Sequence, residues 1–598
     1  MHLRRSLFAS IFPIGLSLLS VSLCTQQAQA SCRTDFTPIH QIQGAASTSP
    51  IQGKTVTTQG VVMGVIHANS KQPQLLIQSQ HPDDSAATSE ALLIPDVELA
   101  RIYQRGQLLE LAGTVRELED MTALTNITHS KICAEQLAVK ATPFTLPVQQ
   151  LSDWEALEGH WLKFSHPLVV NDSYHLARFG ELLVADQRLF VSTELHAPGE
   201  AARAFEQQQL LRQLVIDDDN PKQNPDPIRF PTGGLTADNP VRVGDTLSDV
   251  EGFFVQTKAG YRLVVSKQPQ FAATNPRPLV PAAKQHPQQL RVASFNVLNF
   301  FNGVSQDVPF PTKRGASNAE EFQRQQAKMI AALAAMDADI IGLLEVENNG
   351  YGKTAALSTL VSLLNQQLGQ EVYRAIQTEA KPGTDDIKVA MIYRPATVTT
   401  LGAAAMLNDA TFARGNRVPI AQTFQHIASG KNLTVSINHF KSKGSCPKQQ
   451  NADSDQGDGQ SCWNATRVKA AKTLSQWLAT HPTGQTTNQI LIMGDLNAYR
   501  MEDPIKALEQ AGYRHLSSQG LKWSYVFRGR SGNLDHALAS PTLADHLQSF
   551  QHWHINADEP VALDYNIEHK SAKQQQLFYA PTPFRSSDHD PLLMDFSF

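Results

Sequence analysis

The chain is too long for a single hydrophobic core, and its 598 residues predict two to four domains. Hydrophobic residues make up 41% and charged residues 18% of the chain, which excludes a mainly disordered protein. The formal net charge of −5 excludes binding of nucleic acid through a generally basic surface, so a site for a polyanion would have to be local or assisted by bound cations.

The first 30 residues have the order of a secretory signal peptide. Arg4 and Arg5 precede an apolar stretch, which ends with Ala28-Gln29-Ala30. We therefore expect a mature chain that begins near Ser31, is secreted or periplasmic, and has no transmembrane anchor. A lipid anchor at Cys24 is a weaker alternative, because the residue before it is not small.

Two β-rich segments follow the signal peptide. Residues 31–142 contain runs such as TVTTQGVVMGVI and QLLELAGTVREL between polar or glycine-containing turns, which predicts a small β-barrel of OB type or, equally, a β-sandwich. Residues 143–275 predict a second β-rich domain. Residues 276–289 are rich in Pro and Gln and predict a linker. We therefore expect N-terminal all-β, OB-like segments ahead of the rest of the chain.

Strands and helices alternate from residue 290 to residue 598. LRVASFNVLNF and DIIGLLEVE predict strands, and EEFQRQQAKMIAALAAM between them predicts an amphipathic helix. The same alternation continues through NLTVSINHF, VKAAKTLSQWLATH and NQILIMGDLN. It indicates a layered α/β domain, whose functional groups are sought where the strands end.

Four cysteines remain after the predicted signal peptide, and an exported protein is expected to pair them as disulfides. Three pairings are possible. We expect Cys32 with Cys133 and Cys446 with Cys462, because each pair lies within one predicted domain.

Several predicted strands of the α/β domain end in polar residues that packing does not require. These are Asn296, Glu345, His439, Asp495 and Asn497, together with Asp535, Asp588 and His589 in later loops. Asp495 and Asn497 stand two residues apart, and on an extended backbone they would point to the same side. Each residue taken alone has a structural explanation as a turn, cap or packed residue. The whole set indicates a catalytic site.

The motifs SFN, LLEVE, NHF, GDLNA, NLDHA and SSDHDP resemble, in this order, those of the endonuclease/exonuclease/phosphatase superfamily that includes deoxyribonuclease I. The sequences LEVENNGYG and NHFKSKGS resemble those of the secreted bacterial nucleases of that superfamily. The resemblance covers residues 290–598 and implies a four-layer α/β sandwich, in which two sheets pack face to face between helices.

The resemblance also implies roles for the polar residues. Glu345, helped by Asn296 and Asp588, resembles a site for Mg²⁺ or Mn²⁺, which prefer oxygen ligands. His589 with Asp535 resembles a pair that activates water or stabilises the phosphorane. Asp495 and Asn497 resemble groups that orient the nucleophile and bind the scissile phosphate, and His439 resembles a second catalytic imidazole.

Cationic residues near the same strand ends are expected to hold phosphates, namely Arg394, Lys441 and Arg467. The insertion between Cys446 and Cys462 carries Asp453, Asp455 and Asp458. It predicts either a flexible loop closed by a disulfide or a structural Ca²⁺ loop, although the order departs from the EF-hand pattern.

The sequence therefore predicts a secreted, metal-dependent nuclease that hydrolyses phosphodiester bonds of DNA, with RNA as a further candidate substrate, and acts as a monomer. One alternative is a phosphatase or a sphingomyelinase-like lipid phosphodiesterase of the same superfamily, because catalytic groups are shared while substrate contacts are not. Another alternative is an inactive C-terminal scaffold with functional β-rich binding modules.

Overall fold

The computed structural model describes residues 32–83, 85–304, 309–413, 415–517 and 520–598. The predicted signal peptide lies outside these residues. The chain forms several β-sheet units followed by a larger α/β domain. In the described part of the chain, no helix is both long and apolar enough to cross a membrane.

The first unit is a closed five-stranded barrel. Its strands close in the order β1-β2-β3-β5-β4, and β3 pairs with β5 in parallel. Alternate apolar side chains of the strands, such as Leu75 and Ile77, fill its interior. The Cys32–Cys133 disulfide ties the segment before the barrel to the end of β5, as predicted. The elements are α1 (Ile39–Gln43), β1 (Thr55–Ile66), β2 (Gln74–Gln78), β3 (Ala91–Ile94), α2 (Val97–Ile102), β4 (Leu108–Leu118) and β5 (Met121–Ala134).

The second unit is a nine-stranded sheet in the order β14-β11-β8-β9-β10-β13-β12-β7-β6. The elements are β6 (Thr142–Phe144), β7 (Trp161–Phe164), β8 (Leu168–Asp172), α3 (Leu176–Phe179), β9 (Glu181–Ala185), α4 (Ser192–Leu195), α5 (Glu200–Leu210), β10 (Gln213–Asp217), β11 (Thr246–Ser248), β12 (Glu251–Thr257), β13 (Gly260–Val265) and β14 (Gln270–Ala272). We call this unit the middle domain.

The expectation of all-β N-terminal segments is wrong for the middle domain, because it contains α5. The sequence of α5, EAARAFEQQQL, consists largely of strong helix formers and has no β-branched residue. Residues 276–289, the predicted linker, contain no helix or strand. Arg277 in this segment forms an ion pair with the buried carboxylate of Glu559, so the segment is fastened to the C-terminal domain.

The C-terminal domain begins with a six-stranded sheet of order β17-β18-β16-β15-β28-β27. Its strands are β15 (Leu290–Phe300), β16 (Ile340–Glu347), β17 (Arg374–Ala375), β18 (Ile387–Tyr393), β27 (Leu547–His552) and β28 (Leu592–Phe596). A second six-stranded sheet has the order β19-β20-β21-β22-β26-β23. Its strands are β19 (Val398–Met406), β20 (Ile420–His426), β21 (Asn432–His439), β22 (Ile490–Asp495), β23 (Arg514–His515) and β26 (Asp535–Ala539).

The two sheets pack face to face, and helices cover their outer faces. Val292 and Met391 of the first sheet share an apolar core with Val435 and Met493 of the second. Helices α6 (Ala319–Met336) and α7 (Ala356–Leu368) pack on the first sheet, and α8 (Asn464–Leu478) and α9 (Asp503–Gln510) pack on the second. The remaining elements are α10 (Pro541–Ala544), α11 (Ala572–Leu577) and the hairpin β24 (Tyr525–Phe527) with β25 (Arg530–Gly532). This is the four-layer arrangement that the family resemblance implies.

Residues 189–194 of the middle domain join two loops of the C-terminal domain. The backbone of Ser531 exchanges hydrogen bonds with Leu189 and Val191, and the N–H of Met501 donates to the carbonyl of Thr193 at 2.9 Å. The Glu194 carboxylate accepts from two backbone N–H groups, those of Arg500 and Asn533, at 3.3 and 3.0 Å.

A buried ion pair lies beside this junction. The Lys443 ammonium donates to both carboxylate oxygens of Glu502, and the Thr193 hydroxyl donates to the same carboxylate at 2.8 Å. Glu502 is fully buried. Burial lowers the pKa of Lys443 to about 8, although Glu502 opposes the shift. Loss of either partner would leave an uncompensated charge in the protein interior.

We expect Lys443→Met to lower the free energy of unfolding by about 3–5 kcal/mol, because Glu502 then stays buried without its cation. The double variant Lys443→Met/Glu502→Leu should recover much of this loss, since neither charge remains. Thermal unfolding of the wild type and both variants, followed by circular dichroism, measures the effect. Equal melting temperatures for the wild type and Lys443→Met would contradict this assignment.

Candidate active site

Strand direction brings the predicted polar residues to one edge of the two sheets. β15 and β16 run parallel, as do β21 and β22, so Asn296, Glu345, His439 and Asp495 lie at or near carboxyl ends of strands. β26 is antiparallel to β22 and starts opposite Asp495, with its first residue Asp535 as the pairing partner. Residues 588 and 589 precede β28, which is antiparallel to β15.

A cavity of about 760 Å³ lies at this edge. Glu345, His439, Asp495, Asn497, Asp588 and His589 all line it. Asn296 and Asp535 stand behind these residues and hold two of them in place. The structure therefore brings together all eight polar residues that the sequence selected.

His589 and Asp535 form a short contact in the site. The two side chains meet at 2.6 Å between Nδ1 and Oδ2, and both are buried. The Ser524 hydroxyl donates to the same Asp535 oxygen at 2.7 Å. Burial opposes a charged imidazole, but the carboxylates of Asp535 and Asp588 outweigh it and raise the pKa of His589 well above its usual value.

Asp495 occupies the centre of the site. Its Oδ2 lies 3.5 Å from His439 Nε2 and 4.0 Å from His589 Nε2. Burial raises the pKa of Asp495 to about 7, against the opposing charge of His589. Asp495 can therefore be either protonated or ionised near neutral pH.

The turn after β22 differs from the expected extended backbone. Asn497 has φ = 48°, in the left-handed region, and its N–H donates to Asp495 Oδ1 at 2.8 Å. The prediction of an extended backbone from Asp495 to Asn497 is therefore wrong, although a tight turn still brings both residues to the cavity. Gly494 before the turn is required by space, because a Cβ there would lie 2.0 Å from the carbonyl oxygen of Asn438.

Glu345 is held at a distortion of β16. It has φ = 64°, which is rare for a residue other than glycine, and the pairing with β18 shifts register at this point. Its two carboxylate oxygens accept from the Asn296 amide at 3.2 Å and from the N–H of Asn299 at 3.1 Å. Burial, followed by the nearby Asp588 carboxylate, raises the pKa of Glu345.

These oxygen donors fit a hard divalent cation. Glu345 and Asp588 bring two carboxylates into one cavity, and a bound cation would relieve their mutual repulsion. Asn296 was predicted as a ligand. In this arrangement its amide nitrogen donates to Glu345 while its oxygen accepts from the N–H of Leu298 at 3.1 Å, so it orients the carboxylate.

The predicted phosphate-binding cations lie elsewhere. Arg394 follows β18, which is antiparallel to β16, so it is at the opposite edge of the sheet, where it donates to Asp337 at 2.7 Å. Arg467 is buried, and its guanidinium donates to carbonyl groups of residues 441, 460 and 462. Lys441 is half-buried above the Trp463 ring and does not line the cavity. The prediction is therefore wrong for Arg394 and for the buried Arg467, and Lys441 contributes nothing to the cavity wall.

Other cations line the cavity and were missed by the sequence analysis. Arg417 donates to the ring nitrogen Nε2 of His439 at 3.2 Å and lies near Asp385. Arg314 and Arg528 also line the cavity. Arg417 stands in a turn before β20, without a neighbouring motif, so only the fold could identify it.

The insertion between β21 and α8 is closed by the Cys446–Cys462 disulfide, as predicted. Asp453 accepts from the N–H and the hydroxyl of Thr466, and thereby caps the first turn of α8. Asp455 and Asp458 each accept from a backbone N–H within the loop. In the described residues these carboxylates do not converge on a common point, so the calcium-loop alternative is not supported.

The C-terminal half of the chain is similar to known proteins. Residues 293–589 match the model of the Endonuclease/Exonuclease/phosphatase family. None of the curated proteins matches the chain. The catalytic domain of human Nocturnin is 18% identical over 52% of this chain and 95% of its own, with a TM-score of 0.32. The mannosyl-6-phosphatase of Bacteroides thetaiotaomicron is 13% identical over 52% of this chain and 100% of its own, with a TM-score of 0.33.

A third similar structure is D. rerio TDP2 in complex with a single-strand DNA product, which is 11% identical over 52% of this chain and 99% of its own, with a TM-score of 0.30. The family match and the arrangement of the site residues agree on the same half of the chain. Through residues 293–589, the chain belongs to the endonuclease/exonuclease/phosphatase family.

Proposed function

We propose that this protein is an exported, divalent-metal-dependent phosphodiesterase that hydrolyses nucleic acid, with DNA as its main substrate. The observation that carries the proposal is the convergence of the His589–Asp535 pair, Asp495 and His439 with the carboxylates of Glu345 and Asp588. This combination of acid, base and cation-binding groups suits hydrolysis of a phosphoester.

The protonation states of the site favour distinct roles for two of its groups. His589 is held as an imidazolium by Asp535, so it is suited to donate a hydrogen bond to a phosphoryl oxygen and stabilise the charge that develops there. Of the two roles that the resemblance implies for the His589–Asp535 pair, activation of water and stabilisation of the phosphorane, these protonation states favour the second. Asp495, whose pKa is raised to about 7, is the better acceptor for the proton of the attacking water.

Other residues position the substrate. Asn497 lines the cavity beside Asp495, and its Nδ2 donates to the carbonyl of Phe440 at 3.1 Å, which fixes the direction of its amide. Arg314 and Arg528 supply positive charge at the cavity for the phosphates. A divalent cation held by Glu345 and Asp588, with Asn296 in support, would polarise the phosphoryl oxygen and neutralise charge.

Export and the type of the N-terminal barrel are further parts of the proposal. The disulfides Cys32–Cys133 and Cys446–Cys462 support an oxidising compartment, as does the leader-like sequence at residues 1–30. Five strands closed in the order β1-β2-β3-β5-β4 support an OB-type barrel.

The main test is hydrolysis of plasmid DNA and single-stranded RNA by the purified mature chain with Mg²⁺, Mn²⁺ or EDTA. We expect metal-dependent cleavage that falls at least ~100-fold in His589→Ala, the scale expected for loss of an acid–base group. His546→Ala is the matched control, because His546 precedes β27 at the opposite edge of the first sheet and should leave the rate unchanged.

If the wild type leaves both polymers intact but releases phosphate from monoesters or headgroups from lipids, the nucleic-acid assignment fails. The phosphatase or lipid phosphodiesterase alternative then takes its place.

The metal site has a separate test. We expect Glu345→Gln to weaken Mn²⁺ binding by at least ~10-fold, because the amide removes one negative charge from the ligand set. Asp455→Asn makes the same chemical change in the disulfide-closed loop and should leave the affinity unchanged. Calorimetric titration of the metal-free protein measures both. Weakened binding in Asp455→Asn alone would place the metal in the loop.

A further inference from the structure

We propose that Tyr174 of the middle domain and Phe527 of the β24–β25 hairpin form a stacking subsite for a nucleobase of the strand being cut. The inference rests on the proposed function and specifies its substrate as a segment of nucleic acid with unpaired, accessible bases. It also assigns the middle domain a direct part in substrate binding.

A second cavity, of about 480 Å³, lies next to the catalytic one. Tyr525, Phe527, Arg528 and Asp588 border both cavities, so the hairpin separates two parts of one continuous depression. The far side of the second cavity consists of residues 172–175, which follow β8 of the middle domain. A chain bound at the catalytic edge therefore reaches these residues when it extends past the hairpin.

Both aromatic rings are unusually exposed. Tyr174 is 65% and Phe527 is 52% accessible, although most large apolar side chains of the chain are buried. The backbone of Tyr174 is held in a turn, because its N–H donates to Asp172 at 2.7 Å, and its ring packs edge-on against His175 at 5.2 Å between ring centres. An exposed ring in a fixed position offers its face to a flat ligand at little entropic cost.

The charges around the subsite suit a nucleic acid. The guanidinium of Arg528 lies 5.3 Å from the centre of the Phe527 ring and is exposed, and Arg585 also lines the cavity. Glu559, an acid of this wall, is already paired with Arg242 and Arg277. Asp172 accepts from the N–H of Tyr174. An arginine over one face of an exposed aromatic ring can contact a phosphate while the other face stacks on the adjoining base.

Stacking on a ring tolerates every base, because each base has a π-face. The subsite is therefore expected to add affinity without sequence preference. It needs bases that are not paired within a duplex, which favours single-stranded segments, frayed ends and RNA loops over intact double helix.

The experiment measures binding and cleavage separately. A fluorescein-labelled single-stranded DNA oligonucleotide and the same oligonucleotide with abasic positions are titrated in EDTA, where cleavage does not interfere, and binding is followed by anisotropy. We expect Tyr174→Ala to weaken binding of the normal oligonucleotide by about 10-fold, and to leave the abasic one unaffected. Tyr174→Trp should restore the affinity, and Phe527→Ala should act in the same direction as Tyr174→Ala.

Phe36→Ala is the matched control, because Phe36 is an exposed aromatic residue that precedes the barrel. It should bind both oligonucleotides as the wild type does. Equal effects of Tyr174→Ala on the normal and abasic oligonucleotides, or no effect on either, would overturn the stacking subsite. So would a preference for a glycan or lipid headgroup over the oligonucleotide.

Cleavage in the presence of Mn²⁺ then separates the two proposals. If the wild type binds the oligonucleotide in a Tyr174-dependent way but never cleaves it, the subsite stands and the nuclease assignment fails. If the wild type cleaves the oligonucleotide and Tyr174→Ala raises KM without changing kcat, the stacking subsite and the nuclease assignment are both supported.

Discussion

The site depends on bringing several carboxylates together at one sheet edge. Glu345, Asp495, Asp535 and Asp588 would repel one another in a buried space, and the pKa of Glu345 and that of Asp495 are raised as a result of burial and of neighbouring negative charge. His589 compensates part of this charge by keeping its proton beside Asp535. Backbone pairing prevents the groups from moving apart, since Asp495 is opposite Asp535 on one side and His439 on the other. A cation at Glu345 and Asp588 would complete the compensation.

The middle domain takes part in fixing this geometry. Glu194 holds the backbone N–H groups of Arg500 and Asn533, which lie a few residues after Asn497 and two residues before Asp535. The loop with Arg500 begins near the catalytic candidate Asn497, and the loop with Asn533 ends at the catalytic candidate Asp535. Because one carboxylate binds two loops, the distance between them is set by the middle domain as well as by the sheet. The geometry of the site therefore depends on two domains, although its reactive groups come from one.

Periodicity and strand-end polarity predicted a layered α/β domain, the helices α6 and α8, and the polar set at the cavity, while the number of layers came from the family resemblance. The direction of each strand could not be predicted from periodicity or from strand-end polarity. Arg394 follows an apolar strand just as His439 does, yet β18 runs antiparallel and delivers it to the other edge. The burial of Arg467 could not be predicted either, because a buried arginine and an exposed one look alike in sequence. Arg417 and the residues of the middle domain reach the site from distant parts of the chain, and only tertiary packing brings them there.

The environment of His439 shows how the two imidazoles differ. Burial, followed by the charge of Arg417, lowers the pKa of His439 well below its usual value, so the ring is neutral. Arg417 can only donate, which makes His439 Nε2 the acceptor and places the ring proton on Nδ1. Asp495 lies 3.5 Å from that unprotonated Nε2, where a carboxylate would face a lone pair. A proton on Asp495 removes this repulsion, and burial raises the pKa of Asp495 to about 7. In the proposed reaction, Asp495 would hold the proton taken from water beside the neutral imidazole of His439 and opposite the charged one of His589.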